Sequence, residues 1–176
     1  MVKKFYIMRH GETFATKRNT GYGWRILTAS ILEEGKPIIV KQGVYLKDLK
    51  IDFCVSSPIK RCRQTAVIVR RESGKDIFFD KRLSEFFLES FGGFKKRVQR
   101  FLKEMDAKGY EEVLVITHGA VIAALTHLLA RDTFQISEII DYPKPGIMTI
   151  IERDKLVQLI DFNQTQVIES SHSEIY

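Results

Sequence analysis

The sequence predicts a three-layer α/β/α sandwich with a mostly parallel central sheet, and three observations support this fold class. Short apolar runs alternate along the chain with segments of helical periodicity, which is the order of elements in parallel sheets covered by helices. Three of these runs, at 4–8, 52–56 and 113–117, lead directly into polar residues that suit the end of a buried strand. The length of 176 residues is enough for one domain with a sizeable core.

Each predicted element has a local reason. The elements are a strand at 4–8, a Gly- and Thr-rich loop at 13–25, a helix at 37–49, a strand at 52–56, a helix from 58 to about 71, a strand at 77–79, a helix from 94 to about 109, a strand at 113–117, a helix at 120–130 and a hairpin of strands at 147–151 and 156–160. Pro37 and Pro58 suit first turns of helices, and Ser57 can cap the second of them. Gly109 is a fitting helix stop.

Two segments near the C-terminus complete the organisation. The hairpin is expected to turn at Arg153-Asp154-Lys155. Beyond it, residues 165–176 have no strong pattern, so we interpret residues 1–164 as a single domain followed by a mobile tail. The apolar hairpin is a candidate interface for a homodimer.

Composition narrows the class of protein. With 28 basic and 22 acidic side chains the net charge is +6, which favours anionic ligands. The basic residues are not interleaved with aromatic residues in the manner of a stacking platform, so nucleic acid is not an expected partner. Two cysteines without metal-ligand spacing, no apolar run long enough for a membrane and an N-terminus that begins directly with a strand indicate a cytoplasmic protein without a membrane partner.

Cationic side chains follow the predicted parallel strands. Arg9 and His10 follow the first strand, Arg61 lies in the first turn of the helix after the second, and His118 follows the strand at 113–117. Because ligands of open parallel sheets bind at the carboxyl ends of the strands, these groups are expected to converge on a phosphate-like dianion. A neutral histidine held through one ring nitrogen can act as a nucleophile through the other, without a metal.

The motifs that carry these residues resemble the histidine phosphatase superfamily, which includes cofactor-dependent phosphoglycerate mutases and many phosphomonoesterases. Four matching motifs occur in family order, namely Arg9-His10-Gly11-Glu12-Thr13, Ser56-Ser57-Pro58 with Arg61 and Gln64-Thr65-Ala66, Leu83-Ser84-Glu85, and Val115-Ile116-Thr117-His118-Gly119. The resemblance implies a phosphoglycerate mutase-like fold and phosphorylation of His10. It also implies phosphoryl binding by Arg9, Arg61 and His118, and proton transfer by Glu85.

Some positions leave alternatives open. Glu89 competes with Glu85 as the general acid, although the Leu-Ser-Glu spacing favours Glu85. Family members commonly carry a phosphate-binding Asn where Thr16 stands here, and Asn19 and Thr20 are the other candidates for that role. The predicted phosphate-binding set consists of Arg9, His10, Thr16, Asn19, Arg61, His118 and Gly119.

The predicted function is that of a metal-independent phosphomonoesterase without a cofactor. The chain between Leu83 and Val113 is short, so the lid over the substrate is expected to be small, which favours hydrolysis over return of the phosphoryl group to a product. The predicted partner is a small phosphate ester or a phosphorylated protein. The alternatives are a phosphoglycerate mutase and a non-catalytic phosphate-binding adaptor.

Overall fold

A computed structural model of the chain describes residues 1–153, 157–164 and 168–172. Its strands are β1 (Lys4–Arg9), β2 (Phe53–Ser56), β3 (Ile77–Phe79), β4 (Glu112–Thr117), β5 (Ile147–Glu152), β6 (Val157–Asp161) and β7 (Ile168–His172). Its α-helices are α1 (Phe14–Arg18), α2 (Lys36–Leu46), α3 (Lys60–Ser73), α4 (Phe91–Ala107) and α5 (Gly119–Arg131). Short 3₁₀ turns lie at Gly23–Arg25, Glu33–Gly35, Lys81–Leu83 and Ile136–Glu138.

The described strands form one sheet in the order β3-β2-β4-β1-β5-β6-β7. The first four in this order pair in parallel, and the last three are added by antiparallel pairing. Since β6 runs against β5, it again follows the direction of β1, so five of the seven described strands point the same way. The predicted mostly parallel sheet is therefore confirmed.

Helices cover both faces of this sheet. Strand β4 illustrates the division, because Val113 and Val115 face a core formed with α4 and α5, whereas Leu114 and Ile116 face a core formed with α2 and α3. The alternation follows from the two-residue period of a strand, and apolar residues at every position are typical of a strand buried on both faces. The predicted three-layer sandwich is confirmed.

The start of α3 differs from the prediction. The helix begins at Lys60, and Ile59 occupies the N-cap position in an extended conformation, without a side-chain capping bond. The Ser57 hydroxyl accepts a hydrogen bond from the Ile59 backbone at 3.3 Å, but it also lies 2.8 Å from Nε2 of His118. The Ser57 hydroxyl that we expected to cap the helix is therefore divided between the Ile59 backbone and a tertiary contact with His118.

Two further elements were not predicted. Five residues of the predicted loop at 13–25 form α1, which Thr13 caps through its side chain in a capping box with Thr16. Within the predicted tail, Ile168–His172 form β7, which pairs with β6. Residues 165–167 and 173–176 of that tail, and positions 154–156 of the predicted hairpin, lie outside the described residues.

The segment before α4 is short. Residues 84–90 connect the 3₁₀ turn at Lys81–Leu83 to α4, and they contain no helix of their own. This agrees with the small lid expected from the sequence. Among the described residues, no helix is both long and apolar enough to cross a membrane.

Candidate active site

The predicted site lies at the carboxyl edge of the parallel strands. Strands β1 and β4 are neighbours in the sheet, with Arg9 opposite Thr117, and the His10 backbone donates to the Thr117 carbonyl at 2.9 Å. This hydrogen bond extends the pairing of β1 with β4 by one residue beyond the end of β1. It places His10 beside His118, which directly follows β4, so that their ring centroids are 5.3 Å apart.

The His10 side chain has a defined tautomer. Its Nδ1 lies 2.8 Å from the Gly11 carbonyl. Because a carbonyl only accepts, Nδ1 must carry the hydrogen, which leaves the lone pair on Nε2. The Gly11 backbone in turn donates to the Thr65 hydroxyl at 2.9 Å, and that hydroxyl donates to the Arg61 carbonyl at 2.8 Å. The orientation of the ring is therefore connected to α3.

Arg61 is fully buried beneath the site. Its guanidinium carbon lies 4.2 Å from the centroid of the Tyr22 ring, and its Nη1 donates to the Ile26 carbonyl. Within the part of the chain that the structure describes, its Nε and Nη2 have no hydrogen-bond partner. Since unpaired buried donors are costly, two donors left open on a buried guanidinium are typical of a group arranged to receive an anion.

Arg9 approaches the site from the end of β1. Its guanidinium carbon lies 4.7 Å from the centroid of the Tyr142 ring, and its Nη1 donates to the Pro143 carbonyl at 3.4 Å. Its Nε is buried, and no described residue accepts a hydrogen bond from it. The Tyr142 ring also closes over Gly119, where an added Cβ atom would come within 2.7 Å of the ring.

Burial and charge set the protonation of both histidines. Desolvation, followed by the charge of Arg61, lowers the pKa of His10 and of His118 well below the usual value. Both imidazoles are therefore neutral at neutral pH, which leaves Nε2 of His10 able to attack an electrophile. His118 occupies the N-cap position of α5, but its side chain makes no capping hydrogen bond. Its Nε2 contacts the Ser57 hydroxyl instead.

Glu85 is the carboxylate that faces these groups. Its Oε2 lies 3.8 Å from Nη2 of Arg61 and 3.9 Å from Nδ1 of His118. Burial raises its pKa, although Arg61 and Arg9 oppose the shift. A carboxyl group whose pKa is raised in this way can hold a proton nearer to neutral pH and is suited to general acid catalysis.

The site opens into a cavity of about 560 Å³. The residues that line it include Arg9, Tyr22, Glu85, Phe86 and Ile140. His10, Arg61 and His118 lie below this surface, each with 0% exposure. Two of the residues that line the cavity neighbour the histidines, since Tyr22 lies 3.4 Å from His10 and Glu85 lies 3.9 Å from His118.

The family of the chain follows from a match along most of its length. The sequence model of the histidine phosphatase superfamily (branch 1) matches residues 5–94 and 87–160. The chain belongs to the histidine phosphatase superfamily. The predicted family is thereby confirmed.

Individual relatives of the superfamily carry different names. The chain is 38% identical over 82 residues to the probable phosphoglycerate mutase GpmB of Escherichia coli, and the match covers 46% of this chain but only 36% of that protein. Alpha-ribazole phosphatase of Shigella flexneri has a TM-score of 0.71 at 18% identity, covering 97% of this chain and 96% of that one.

Two further solved structures extend the comparison. Mycobacterial glucosyl-3-phosphoglycerate phosphatase in complex with VO3 has a TM-score of 0.71 at 18% identity, covering 98% of this chain and 99% of that one. Phosphoglycerate mutase of Bacillus anthracis has a TM-score of 0.68 at 17% identity, covering 98% and 92%. At these identities the likeness shows the fold alone, which is the phosphoglycerate mutase-like fold expected from the sequence.

Within this superfamily fold, the two candidate carboxylates have different surroundings. Glu89 is held by Arg97, whose Nε contacts both carboxylate oxygens at 3.1 Å, whereas Glu85 faces Arg61 and His118. Arg97 also donates to the Glu85 carbonyl at 3.2 Å, so it orders the segment that carries Glu85. This geometry favours Glu85 over Glu89 as the general acid.

The predicted phosphate-binding residues are not all placed alike. Thr16 and Asn19 both line the cavity, but the Thr16 hydroxyl already bonds to the Thr13 backbone, donating to its carbonyl at 3.1 Å and accepting from its N–H at 2.8 Å. Asn19 ends α1 in a left-handed conformation with a φ of 51°. Gly119 opens α5, whose first backbone N–H groups are free to bind an anion.

Several side chains at the site were not singled out from the sequence. Ser57 contacts His118 at 2.8 Å, and the Tyr22 hydroxyl lies 3.4 Å from Nε2 of His10. The motif residue Thr65 joins the His10 loop to Arg61. Tyr22 stands in a loop without periodicity, so no local signal in the sequence marks it.

Outside the site, His127 has a structural environment. It is buried on α5, with its Nε2 3.1 Å from Asp141 and its Nδ1 in contact with Arg131. The contact with Asp141 joins the helix to the segment that ends in Tyr142.

Cys54 and Cys62 are free thiols, and burial raises the pKa of Cys54 to about 11.

Proposed function

We propose that this chain is a metal-independent phosphatase that hydrolyses phosphomonoesters through a phosphohistidine at His10. One observation carries the proposal, namely the neutral His10 with its lone pair on Nε2, next to a buried guanidinium that has open donors. A nucleophile beside an unfilled anion site is the arrangement that phosphoryl transfer requires.

The first half-reaction uses the cationic groups and Glu85. Arg9, Arg61 and the N-terminus of α5 hold the phosphoryl oxygens while His10 Nε2 attacks phosphorus. The Nε2–P bond forms as the bond from phosphorus to the ester oxygen breaks, and Glu85 gives its proton to that oxygen.

The second half-reaction regenerates the enzyme. Glu85, now ionised, takes a proton from a water molecule that attacks the phosphorus. The Nε2–P bond breaks, inorganic phosphate leaves, and Glu85 is again protonated. Neutral His118, 2.8 Å from Ser57, adds a further hydrogen-bonding group to the phosphoryl oxygens in both steps.

Hydrolysis is proposed rather than mutase activity because of the short segment before α4. Only residues 84–90 lie between the 3₁₀ turn and α4, which leaves little chain to enclose a phosphoenzyme and a bound product together. Water can therefore reach the phosphohistidine. The cavity of about 560 Å³ is in the size range of small-molecule sites, which favours a small phosphate ester over a phosphoprotein as the substrate.

The decisive experiment traps the phosphoenzyme. Purified protein is mixed with a ³²P-labelled aryl phosphate in the presence of a chelator and quenched rapidly. We expect an acid-labile, base-stable label on wild type and on His172→Ala, and none on His10→Ala. Label that persists in a folded His10→Ala variant, or turnover that the chelator abolishes, would contradict the proposal.

The two alternatives have their own measurements. A phosphoglycerate mutase would convert 3-phosphoglycerate to 2-phosphoglycerate when supplied with a bisphosphorylated activator, so a coupled assay that detects phosphate without isomer excludes it. A phosphate-binding adaptor would bind phosphopeptide tightly in calorimetry without releasing phosphate. We expect release of phosphate in both assays.

A further inference from the structure

The Tyr22 hydroxyl lies at the reacting nitrogen of the proposed mechanism. Its oxygen is 3.4 Å from Nε2 of His10, and it is 2.9 Å from the Thr13 hydroxyl. Nε2 is the nitrogen without a hydrogen, because Nδ1 donates to Gly11. A phosphoryl group that reaches Nε2 must therefore pass within hydrogen-bond distance of Tyr22.

The Tyr22 hydroxyl is available as a donor. Because the Thr16 hydroxyl donates to the Thr13 carbonyl, the Thr13 hydroxyl hydrogen has two acceptors, Thr16 at 3.3 Å and Tyr22 at 2.9 Å, and the shorter contact favours the Tyr22 oxygen. Tyr22 then keeps its own hydrogen for an acceptor on the side of His10. Burial raises the pKa of Tyr22, which keeps the phenol protonated at neutral pH.

The position of the Tyr22 ring is also defined. The guanidinium of Arg61 lies over it at 4.2 Å, and the Phe14 ring meets it edge-on with centroids 6.0 Å apart. A tyrosine in contact with both the nucleophile and the phosphate-binding arginine is well placed to contact whatever these two bind. No other described tyrosine has both contacts.

The backbone around Tyr22 permits a small adjustment. Glycines flank it at 21 and 23, and Gly23 has a φ of +52°. A Cβ added at either glycine would meet no other group within 4 Å. Glycine tolerates conformations that other residues do not, so the two flanking glycines place little restriction on the backbone at Tyr22.

From this geometry we propose that Tyr22 is a catalytic residue whose hydroxyl exchanges its contact with Nε2 of His10 for a hydrogen bond to the transferred phosphoryl group. The inference rests on the proposed function and names a phosphoryl-binding residue within it. Tyr22 keeps its proton throughout, since Nε2 attacks phosphorus and Glu85 protonates the leaving oxygen. The tyrosine therefore takes the place of Thr16, whose hydroxyl is bonded within α1.

Binding of inorganic phosphate tests the proposal without requiring turnover. Tyr22→Phe keeps the ring on Arg61 and removes only the hydroxyl, and Tyr110→Phe is the matched control, because Tyr110 stacks on Phe53 at 4.8 Å away from the site. By calorimetry we expect about 10-fold weaker phosphate binding for Tyr22→Phe and an unchanged affinity for Tyr110→Phe. An affinity of Tyr22→Phe equal to or tighter than that of wild type would overturn the inference.

A second pair of variants tests the contact between Thr13 and Tyr22. Thr13→Val removes the hydroxyl that orients the phenol, whereas Thr13→Ser keeps it. We expect Thr13→Val to weaken phosphate binding and Thr13→Ser to retain it. Because Thr13→Val also removes the cap of α1, its effect should be smaller in the Tyr22→Phe background than in wild type. Additive losses of phosphate affinity in the double variant would contradict a role for Thr13 in orienting the Tyr22 hydroxyl.

The outcomes separate this inference from the proposed function. If wild type binds phosphate through Tyr22 but forms no phosphohistidine, the hydrolytic mechanism fails and the assignment of Tyr22 as a phosphate ligand stands. If wild type turns over and Tyr22→Phe has the same kcat/KM and phosphate affinity, only the role of Tyr22 fails. If wild type binds no phosphate, both fail.

Discussion

Oε2 of Glu85 lies 3.8 Å from Nη2 of Arg61, and the arginine is fully buried whereas 14% of the glutamate side chain is exposed. The separation is longer than a hydrogen bond, so the two groups are neighbours rather than a closed ion pair. Burial nevertheless raises the pKa of Glu85 in spite of this cation. The site can therefore keep a carboxylic acid beside the guanidinium that we propose binds phosphate.

Replacing Glu85 is expected to produce a defect that depends on the leaving group. Glu85→Gln removes the proton donor, so kcat/KM for alkyl phosphates should fall by about 10²- to 10⁴-fold. An aryl phosphate with an acidic phenol needs little protonation, so its phosphoenzyme should still form. Steady-state kinetics with both substrates check this, and equal losses for both would contradict a general acid role.

Glu89→Gln is the matched control for that experiment. Glu89 pairs with Arg97 and does not face the histidines. Its loss should lower stability modestly and leave the dependence on the leaving group unchanged. If Glu89→Gln, and not Glu85→Gln, produced a loss that depends on the leaving group, Glu89 would be the general acid.

The pH dependence of activity should have limbs set by His10 and Glu85. As pH falls through the lowered pKa of His10, the nucleophile gains a proton and kcat/KM decreases. As pH rises through the raised pKa of Glu85, the general acid loses its proton and kcat/KM decreases again. A pH profile with an alkyl phosphate, in which Glu85→Gln abolishes the alkaline limb, is the expected result.

Folding stability should decrease on mild acidification. The pKa values of His10 and His118 are lowered in the folded state, so their contribution is present above the unfolded pKa of about 6.5 and is lost as pH falls below it. The raised pKa of Glu85 acts in the opposite sense, because its contribution is lost as pH rises through the folded pKa.

Urea unfolding between pH 5 and 7 measures the balance of these groups. The two histidines can add at most two protons to the unfolded state, and the opposing carboxyl subtracts at most one, so the slope is at most about 2.7 kcal/mol per pH unit and falls to about 1.4 where Glu85 holds its proton. Glu85→Gln should therefore steepen the loss of stability below pH 6.5, and His118→Gln should flatten it. A wild-type free energy of unfolding that rose towards pH 5 would contradict neutral buried histidines.

Gly119→Ala should disturb the site through Tyr142. The added Cβ would lie 2.7 Å from the Tyr142 ring, and that ring supports Arg9. We expect a loss of about 1–3 kcal/mol in the free energy of unfolding from overpacking, together with a lower kcat/KM. Tyr142→Ala in the same chain should recover stability but not activity.

The comparison variant for Gly119 is Gly92→Ala. A Cβ at Gly92 meets no other group within 4 Å, and the position lies in the first turn of α4. Kinetics should match wild type, and the free energy of unfolding should be unchanged or up to about 1 kcal/mol higher, because Ala is favoured over Gly in a helix. A similar loss at Gly92 would mean that glycine replacement in a helix, rather than the collision with Tyr142, explains the effect.

The sequence by itself was sufficient for the fold class and for the family. Buried parallel strands are short apolar runs, and their helices have a visible period, so β1, β2, β4 and the long helices could be located from local pattern. The same runs end at Arg9 and His118, and strand polarity places such ends on one edge of the sheet. The identity of the cationic residues at that edge was therefore predictable.

Only the tertiary structure decided which contacts the side chains of the site make with one another. Tyr22 reaches His10 through the conformation of a loop, and Ser57 contacts His118 instead of serving solely as a helix cap, because the Ser57 hydroxyl and the His118 ring are brought together by two different strands. Strand β7 depends on pairing with β6, and its own residues have no strong period. Contacts between distant segments follow from packing, which no local pattern in the chain records.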